Sequence, residues 1–208
     1  MNMAPLPPRL TREASRLQTR AHLLAAAKRL FVERGFGATS LRDIAAEAGY
    51  TQGAFYSNFA GKEALFVELM QERSKAQVAD IARTLSDPSA SGDDILDALE
   101  VWSRTVDAEP EWSVLGVEFK LQGRRNPAFA TASQALLDAH RDGLACCIEQ
   151  IFARFGKVPP EAPTVLAVAF MGLSQGLSLQ QSILTEVPIG HMIMVFLRGL
   201  LDSAEPVR

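Results

Sequence analysis

Residues 51–62 carry a run of side chains that can hydrogen-bond to nucleic acid. Gln52, Tyr56, Ser57 and Asn58 offer amide and hydroxyl groups within one short stretch, and Lys62 follows with a cation. A glutamine amide can pair with adenine in the major groove, and hydroxyl and ammonium groups bind phosphate oxygens. A lysine in the first turn of a helix opposes the helix dipole, which indicates a phosphate near that helix start. These residue types predict a segment that contacts duplex DNA.

Two short helices joined by a tight turn are predicted to position these side chains. Ser40 is a good N-cap, with Asp43 at the capping-box spacing. Gly49 ends the first helix, because glycine adopts the left-handed C-terminal conformation without strain. Thr51 can cap a second helix over residues 52–59. A helix, a short turn and a helix with an outward polar face form the layout of a DNA-binding helix-turn-helix.

This stretch closely resembles the helix-turn-helix of the TetR family of bacterial regulators, over roughly residues 17–77. The resemblance rests on matches at fixed spacing: Gly35-Phe36, Thr39-Ser40, Ile44-Ala45, Ala48-Gly49, Gly53, Phe55-Tyr56, Phe59, Lys62-Glu63 and Leu65. It implies a dimeric repressor that leaves its DNA when a small molecule enters the C-terminal domain. Tyr50 and Thr51 depart from the family pattern, in which a small aliphatic residue and a serine are common.

The DNA contacts that this resemblance and the residue chemistry predict lie between residues 39 and 62. They are Thr39, Ser40, Thr51, Gln52, Gly53, Ala54, Tyr56, Ser57, Asn58 and Lys62. Gln52 would read adenine, Ala54 would touch a thymine methyl group, and Gly53 would allow close approach to the groove. The remaining side chains would bind the DNA backbone or its edges.

The whole chain is predicted to be all-α, because no strand pattern stands out. Further helices are expected at about residues 12–34, 62–85, 93–109, 111–123, 127–155, 164–184 and 188–203. Residues 1–16 are predicted to be a flexible basic arm, 17–77 the DNA-binding domain, and 78–208 an effector-binding and dimerisation domain. For the arm, a role in DNA contact and a role as a solvated tail remain equally open.

The charge distribution agrees with DNA binding at one end only. The chain has a net charge of −3. Residues 1–70 hold nine Lys/Arg and six Asp/Glu, giving +3, and the remaining residues hold twelve and eighteen, giving −6. A basic N-terminal part can bind phosphate while the acidic remainder cannot.

A ligand cavity in the C-terminal part is expected from the family resemblance. Its candidate lining combines aromatic residues with a few polar groups. The candidates are Trp102, Trp112, Glu118, Phe119, Phe129, His140, Met171 and Gln175. For any one of them, packing in the core is the alternative. The guest predicted from these residues has apolar bulk and one polar or cationic end.

The last two predicted helices are apolar enough to need a partner, and in the TetR family such helices form the dimer interface. The candidate interface residues are Gly172, Gly176, Ile193, Phe196 and Leu200. The two glycines allow close helix approach. An internal core is the alternative for this apolar surface.

One motif points to a different class of protein, an enzyme. Residues 172–176 read GLSQG, which matches the G-x-S-x-G nucleophile elbow of serine hydrolases. That motif requires a strand before the serine, and here a helix is predicted. We therefore expect no catalytic residue, no cofactor and no metal site. A regulator without an effector is the remaining alternative.

The other expectations concern location. Residues 165–173 are an apolar run that is shorter than the roughly 20 residues of a membrane span. The N-terminus does not have the pattern of a signal peptide. Cys146 and Cys147 are neighbours, and no other cysteine is available as a partner for either. We expect a cytoplasmic protein that has no membrane partner and binds duplex DNA, a second copy of itself and a small effector.

Overall fold

The computed structural model describes residues 11–109, 111–180 and 188–207, and over these residues the predicted all-α architecture is confirmed. The helices are α1 (Arg12–Ala38), α2 (Leu41–Glu47), α3 (Gln52–Tyr56), α4 (Lys62–Thr84), α5 (Gly92–Ala108), α6 (Glu111–Arg125), α7 (Pro127–Arg154), α8 (Pro163–Gln180) and α9 (Ile189–Ser203). In this part of the chain, β pairing is limited to one isolated bridge between Lys157 and Pro206.

The chain divides into two compact units, the first ending at Leu69 and the second beginning at Met70. This division falls earlier than the predicted boundary after residue 77. Because α4 is one continuous helix through both positions, no turn marks the boundary in the sequence.

The first unit is built around aromatic side chains of α1 and α4. The rings of Phe31, Phe36 and Phe66 lie with their centroids 5.0–5.3 Å apart, and all three are buried. Aromatic pairs at this spacing add stabilisation beyond their burial. The predicted break at Gly35 is present, because Gly35 has φ 80° within α1, and one further helical turn then reaches Ala38.

In the second unit, α5 packs against α9 and α7 against α8. The N-terminus of α9 has a cap from another helix, since the Asp107 carboxylate accepts hydrogen bonds from the backbone N–H groups of Ile189 at 2.6 Å and Gly190 at 3.2 Å. At this crossing Gly190 has no room for a side chain. A Cβ there would lie 2.0 Å from the carbonyl oxygen of Ser103.

The GLSQG motif lies inside α8, so the strand and sharp turn of a nucleophile elbow are absent from these residues. The serine-hydrolase alternative is therefore wrong. The two glycines of the motif, Gly172 and Gly176, have nothing within 4 Å of an added Cβ.

Some predictions lie outside the described residues. These are residues 1–10 of the predicted arm and residues 181–184 of the predicted helix over 164–184. Among the described helices, none combines the length and the apolar character that a membrane crossing requires.

Candidate nucleic-acid interface and ligand cavity

The helix pair α2–α3 is held by local caps that the sequence predicted. The Ser40 hydroxyl accepts from the Asp43 N–H at 3.1 Å, and the Asp43 carboxylate accepts from the Ser40 N–H at 2.9 Å. The Ser40 hydroxyl also donates to the Asp43 carboxylate, and this bond and the one from the Ser40 N–H lower the pKa of Asp43, because they favour its charged form. The reciprocal arrangement fixes where α2 begins.

The turn between α2 and α3 has the geometry of a Schellman C-cap. Gly49 has φ 77°, and its N–H donates to the carbonyl of Ala46 at 3.0 Å. The N–H of Tyr50 donates to the carbonyl of Ala45 at 2.8 Å. These two bonds satisfy the last carbonyls of α2 and set the direction of the chain into α3.

One side of α3 is buried and the other is exposed. Thr51 caps the helix by accepting from the Ala54 N–H at 3.2 Å, and Phe55 is fully buried. Gln52 and Gly53 are exposed, and 59% of Tyr56 is exposed. The polar side chains predicted to contact DNA are therefore accessible on α3.

Three of the predicted contact residues have side chains that are buried or half-buried, with their polar groups engaged within the first unit. The buried Thr39 hydroxyl lies within hydrogen-bonding distance of the carbonyls of Leu30 and Gly35, at 3.3 and 2.8 Å. The Asn58 amide donates to the carbonyl of Ala54 at 2.8 Å, and its Oδ1 atom is buried. These side chains support α3 from inside the unit.

Lys62 is the third of these residues. The structure explains its position by contacts within the protein, whereas the sequence indicated a nearby phosphate. Its Nζ donates to the carbonyls of Phe36 at 2.6 Å and Thr39 at 2.7 Å, and lies 4.2 Å from the centre of the Phe36 ring. The cation therefore binds carbonyls at the end of α1, a place where cations are favourable. The unfavourable position at the start of α4 does not require a phosphate.

The contacts that Arg20 and Tyr50 make across the unit were not predicted. The Arg20 guanidinium donates to the carbonyl of Asn58 and to the Glu68 carboxylate, and lies over the Phe59 ring. Tyr50, whose role the sequence left open, pairs with His22 through a 3.0 Å hydrogen bond from α1 to the turn. Neither partner is close in sequence, so spacing carried no signal for these contacts.

Sequence reasoning also missed Arg42 as a candidate contact residue. It is exposed in the first turn of α2. The signal was available, because the dipole argument applied to Lys62 applies equally to a cation at this position.

The second unit contains a cavity of about 220 Å³ lined by residues of α4 to α9. Its wall is mostly apolar and includes Leu99, Trp102, Phe119, Met171 and Met194. Cavities of this kind, with few polar groups among apolar ones, are the usual form of small-molecule sites.

Several polar side chains of the described cavity lining are joined by hydrogen bonds or an ion pair. Arg73 is paired with Glu109 at 3.1 Å, and Trp112 donates to the same carboxylate at 3.2 Å. His140 and the Ser74 hydroxyl lie 2.7 Å apart, and the Lys120 ammonium donates to the Gln175 side-chain oxygen. The polar groups are thus arranged at separate points of a largely apolar wall.

Most of the predicted ligand-lining residues lie together at this cavity. They are Trp102, Trp112, Phe119, His140, Met171 and Gln175. Glu118 and Phe129 are not among its lining residues. The face of α6 that meets the cavity carries Trp112, Gly116, Phe119 and Lys120, which excludes Glu118, and Phe129 packs against the Phe119 ring at 5.0 Å.

The predicted dimer residues divide between two faces of α9. Phe196 is 49% exposed, and Val195 beside it is also exposed. Ile193 lines the cavity, and Leu200 packs against the core of the second unit. These two side chains therefore pack inside the second unit, because they lie near the face of α9 that carries the buried Met194, Leu197 and Leu201.

Burial changes the titration of the basic groups in the cavity. Desolvation, with a smaller contribution from the charge of Lys120, lowers the pKa of His140 to about 4, so His140 is neutral at pH 7. Desolvation also lowers the pKa of Lys120.

Comparison with known proteins identifies the first unit. Residues 23–69 match the family model described as bacterial regulatory proteins, tetR family. The chain is 35% identical over 75 residues to the HTH-type transcriptional repressor DhaR of Mycobacterium sp. (strain GP1), covering 36% of this chain and 38% of DhaR. It is 42% identical over 64 residues to the HTH-type transcriptional regulator AcrR of Shigella flexneri, covering 31% and 29%. The matched segment thus spans about a third of these curated relatives.

The fold extends the likeness beyond the first unit. The fatty acid degradation regulator FadR from Bacillus halodurans aligns with a TM-score of 0.71 over 89% of this chain and 95% of its own, at 14% identity. At that identity the likeness concerns the fold. The matched family and the curated relatives are regulators and not enzymes. Residues 23–69 thus match the TetR family of bacterial regulatory proteins, and the chain resembles a regulator of known structure in fold over most of its length.

Proposed function

We propose that this chain is a sequence-specific DNA-binding transcriptional regulator that acts as a homodimeric repressor. The observation that carries the proposal is the exposed polar side of α3, held in place by the caps of Ser40 and Thr51 and by the Gly49 turn. Such a helix fits the major groove and can reach base edges with its first residues.

The contacts follow from the side chains that are accessible. Gln52 pairs with adenine, Ala54 touches a thymine methyl group, and Gly53 lets the backbone approach the groove. Ser40, Thr51, Tyr56 and Ser57 bind the DNA backbone, and Arg42 adds a phosphate contact at the start of α2. Thr39, Asn58 and Lys62 do not bind DNA directly in this proposal. Their hydrogen bonds within the first unit hold the contacting side chains in place.

Sequence selection from a pool of random duplexes tests the DNA-binding proposal. We expect a palindromic site, because a two-fold dimer presents two copies of α3 to two half-sites. Gln52→Ala is expected to cost about 1–3 kcal/mol and to relax preference at one base position. Tyr56→Phe is expected to weaken binding to all sequences alike, and Val114→Ala, at an exposed position of α6, is a control without effect. Recovery of no common sequence would refute the proposal.

We further propose that α8 and α9 form the dimer interface. Val165, Val168, Leu179, Val195 and Phe196 are exposed apolar residues of these two helices. Gly172 and Gly176 of α8 leave open space beside them. Two such helices from each copy would bury this surface in a four-helix arrangement.

Sedimentation of a charged variant tests the interface. Phe196→Glu is expected to yield monomers at micromolar concentration, because a carboxylate would be buried against an apolar partner. Val114→Glu places the same charge on an exposed apolar position of α6 and should leave the dimer intact. Gly172→Leu should weaken association by overpacking, at roughly 1–3 kcal/mol or more. A monomeric wild-type chain, or a dimeric Phe196→Glu variant, would contradict the assignment.

The proposed release mechanism uses α4. This helix contributes Lys62 and Leu65 to the first unit and Met70, Ser74 and Ile81 to the second. A ligand in the cavity would contact its later turns and change the separation of the two copies of α3. The ligand can shift the equilibrium only by its difference in affinity for the two states. If no compound that binds the cavity alters DNA binding, the alternative of a regulator without an effector holds.

A further inference from the structure

The charges of the cavity are not balanced by its own residues. Among the described lining residues, the acidic and strongly basic side chains are Arg73, Glu109 and Lys120. Arg73 and Glu109 form an ion pair with each other, with the Arg73 guanidinium 5.4 Å from the Trp112 ring centre. That pair leaves the charge of Lys120 without an acidic counterpart in the cavity wall.

Lys120 is held by a neutral partner. Its ammonium donates to the side-chain oxygen of Gln175, and an ammonium has two further N–H donors. Burial disfavours its charged form, and no neighbouring carboxylate contributes to the shift of its pKa. A partly buried cation with spare donors is stabilised by an anion that enters the cavity.

The groups facing Lys120 from neighbouring helices are consistent with an anion. His140 of α7 has a pKa of about 4, so at neutral pH it is a neutral ring that can donate one hydrogen bond. Gln175 of α8 has an amide donor, and Ser74 of α4 a hydroxyl. A cationic guest would instead meet Lys120, with Glu109 already occupied by Arg73.

The remaining wall is suited to an apolar body. Trp102, Phe119, Leu137, Phe170 and Met194 line it together with further aliphatic residues. We propose that the effector is an apolar carboxylic acid whose carboxylate is bound by Lys120 and whose hydrocarbon part fills the apolar remainder of the cavity. This inference rests on the proposed function only in naming the guest an effector.

The sequence predicted a guest with one polar or cationic end, and a carboxylate has the charge opposite to the cationic form of that guest. Glu118 is the acidic residue among the predicted lining residues. Glu118 does not line the cavity, whereas Lys120, two positions further along α6, does. Because the inward face of α6 carries Lys120 and not Glu118, we expect the charged end of the ligand to be negative and not positive.

Three probes with the same chain and different head groups test the sign on the full-length protein. They are decanoate, decanol and decyltrimethylammonium, each titrated below its micelle concentration without DNA. Both tryptophans of the chain, Trp102 and Trp112, line the cavity, so intrinsic tryptophan fluorescence reports its occupation. We expect saturable binding of decanoate, roughly tenfold or more tighter than decanol, because a charge-assisted hydrogen bond is added. Decyltrimethylammonium should bind more weakly than either.

Variants assign this preference to one residue. Lys120→Met should remove the advantage of decanoate over decanol while decanol binding remains, and Lys120→Arg should retain the advantage. Arg124→Met makes the same charge change at an exposed position of α6 and should leave all three affinities unchanged. Circular dichroism checks that each variant folds. If Lys120→Met does not fold, Lys120→Gln replaces it.

Equal affinity for the three probes, tighter binding of decyltrimethylammonium, or a decanoate preference that survives loss of the Lys120 charge would overturn the inference. No saturable response to decanoate or to 2-naphthoate, a bicyclic carboxylate, would overturn it as well. Release from DNA is measured separately. If decanoate binds through Lys120 but leaves DNA binding unchanged, the ligand class stands and the release mechanism fails.

Discussion

Replacing Gly190 by alanine is expected to lower the free energy of unfolding of the second unit by about 3 kcal/mol or more. The added Cβ would lie 2.0 Å from the carbonyl oxygen of Ser103 and 2.5 Å from its carbonyl carbon. These are backbone atoms of α5, so relief requires α5 and α9 to separate. Separation would also weaken the hydrogen bonds from the start of α9 to Asp107.

Gly199 is a matched control on the same helix. A Cβ at Gly199 has nothing within 4 Å, so Gly199→Ala should be neutral or stabilising, by up to about 1 kcal/mol from helix propensity. Urea unfolding followed by tryptophan fluorescence reports this unit, because Trp102 and Trp112 both lie in it. Equal unfolding midpoints for the two variants would contradict the close contact of α5 and α9.

Replacing Lys62 by methionine is expected to destabilise the first unit by about 2–3 kcal/mol, because hydrogen bonds from a charged donor are lost. The carbonyls of Phe36 and Thr39 would lose a common donor, while methionine keeps an apolar stem beside the Phe36 ring. DNA binding should weaken for all sequences alike, since the turn before α2 would move.

Arg42→Met separates this effect from loss of a phosphate contact. Arg42 is exposed, so its replacement should leave stability within about 0.5 kcal/mol of the wild type. It should make the slope of log affinity against log salt concentration shallower by about one unit, as expected for the loss of one phosphate contact. Thermal unfolding and binding at several salt concentrations distinguish the two variants. A Lys62→Met variant of unchanged stability that loses one phosphate contact would restore the direct role that the sequence predicted.

The parts of this fold that sequence reasoning obtained are those fixed by local interactions. The cap of Ser40 by Asp43, the left-handed Gly49 and the cap by Thr51 each involve residues a few positions apart. The distant partners of Lys62 and Arg20 are different, because they are brought close only when α1 and α4 pack. The dipole argument for Lys62 identified an unusual cation, and the structure gives this cation carbonyl partners that the sequence did not indicate.

The cavity and the α9 surface show a second limit of prediction from the sequence. An apolar helix has no polar stripe that marks its outer side, so Ile193 and Phe196 looked equivalent in sequence. On α6 the sequence reasoning selected Glu118 and did not consider Lys120, which lines the cavity. Which face of a helix lies inward is decided by its neighbours, and this decision set the charge of the cavity.

Affinity for the selected duplex, compared with its shuffled sequence at two salt concentrations, tests the central claim most directly. The account predicts that wild-type protein prefers the selected duplex, that raising salt weakens binding to both, and that Gln52→Ala loses preference at one base pair of each half-site. The contradicting result would be equal affinity for the selected and shuffled duplexes, or a Gln52→Ala, Tyr56→Phe double variant that binds the selected duplex at full strength.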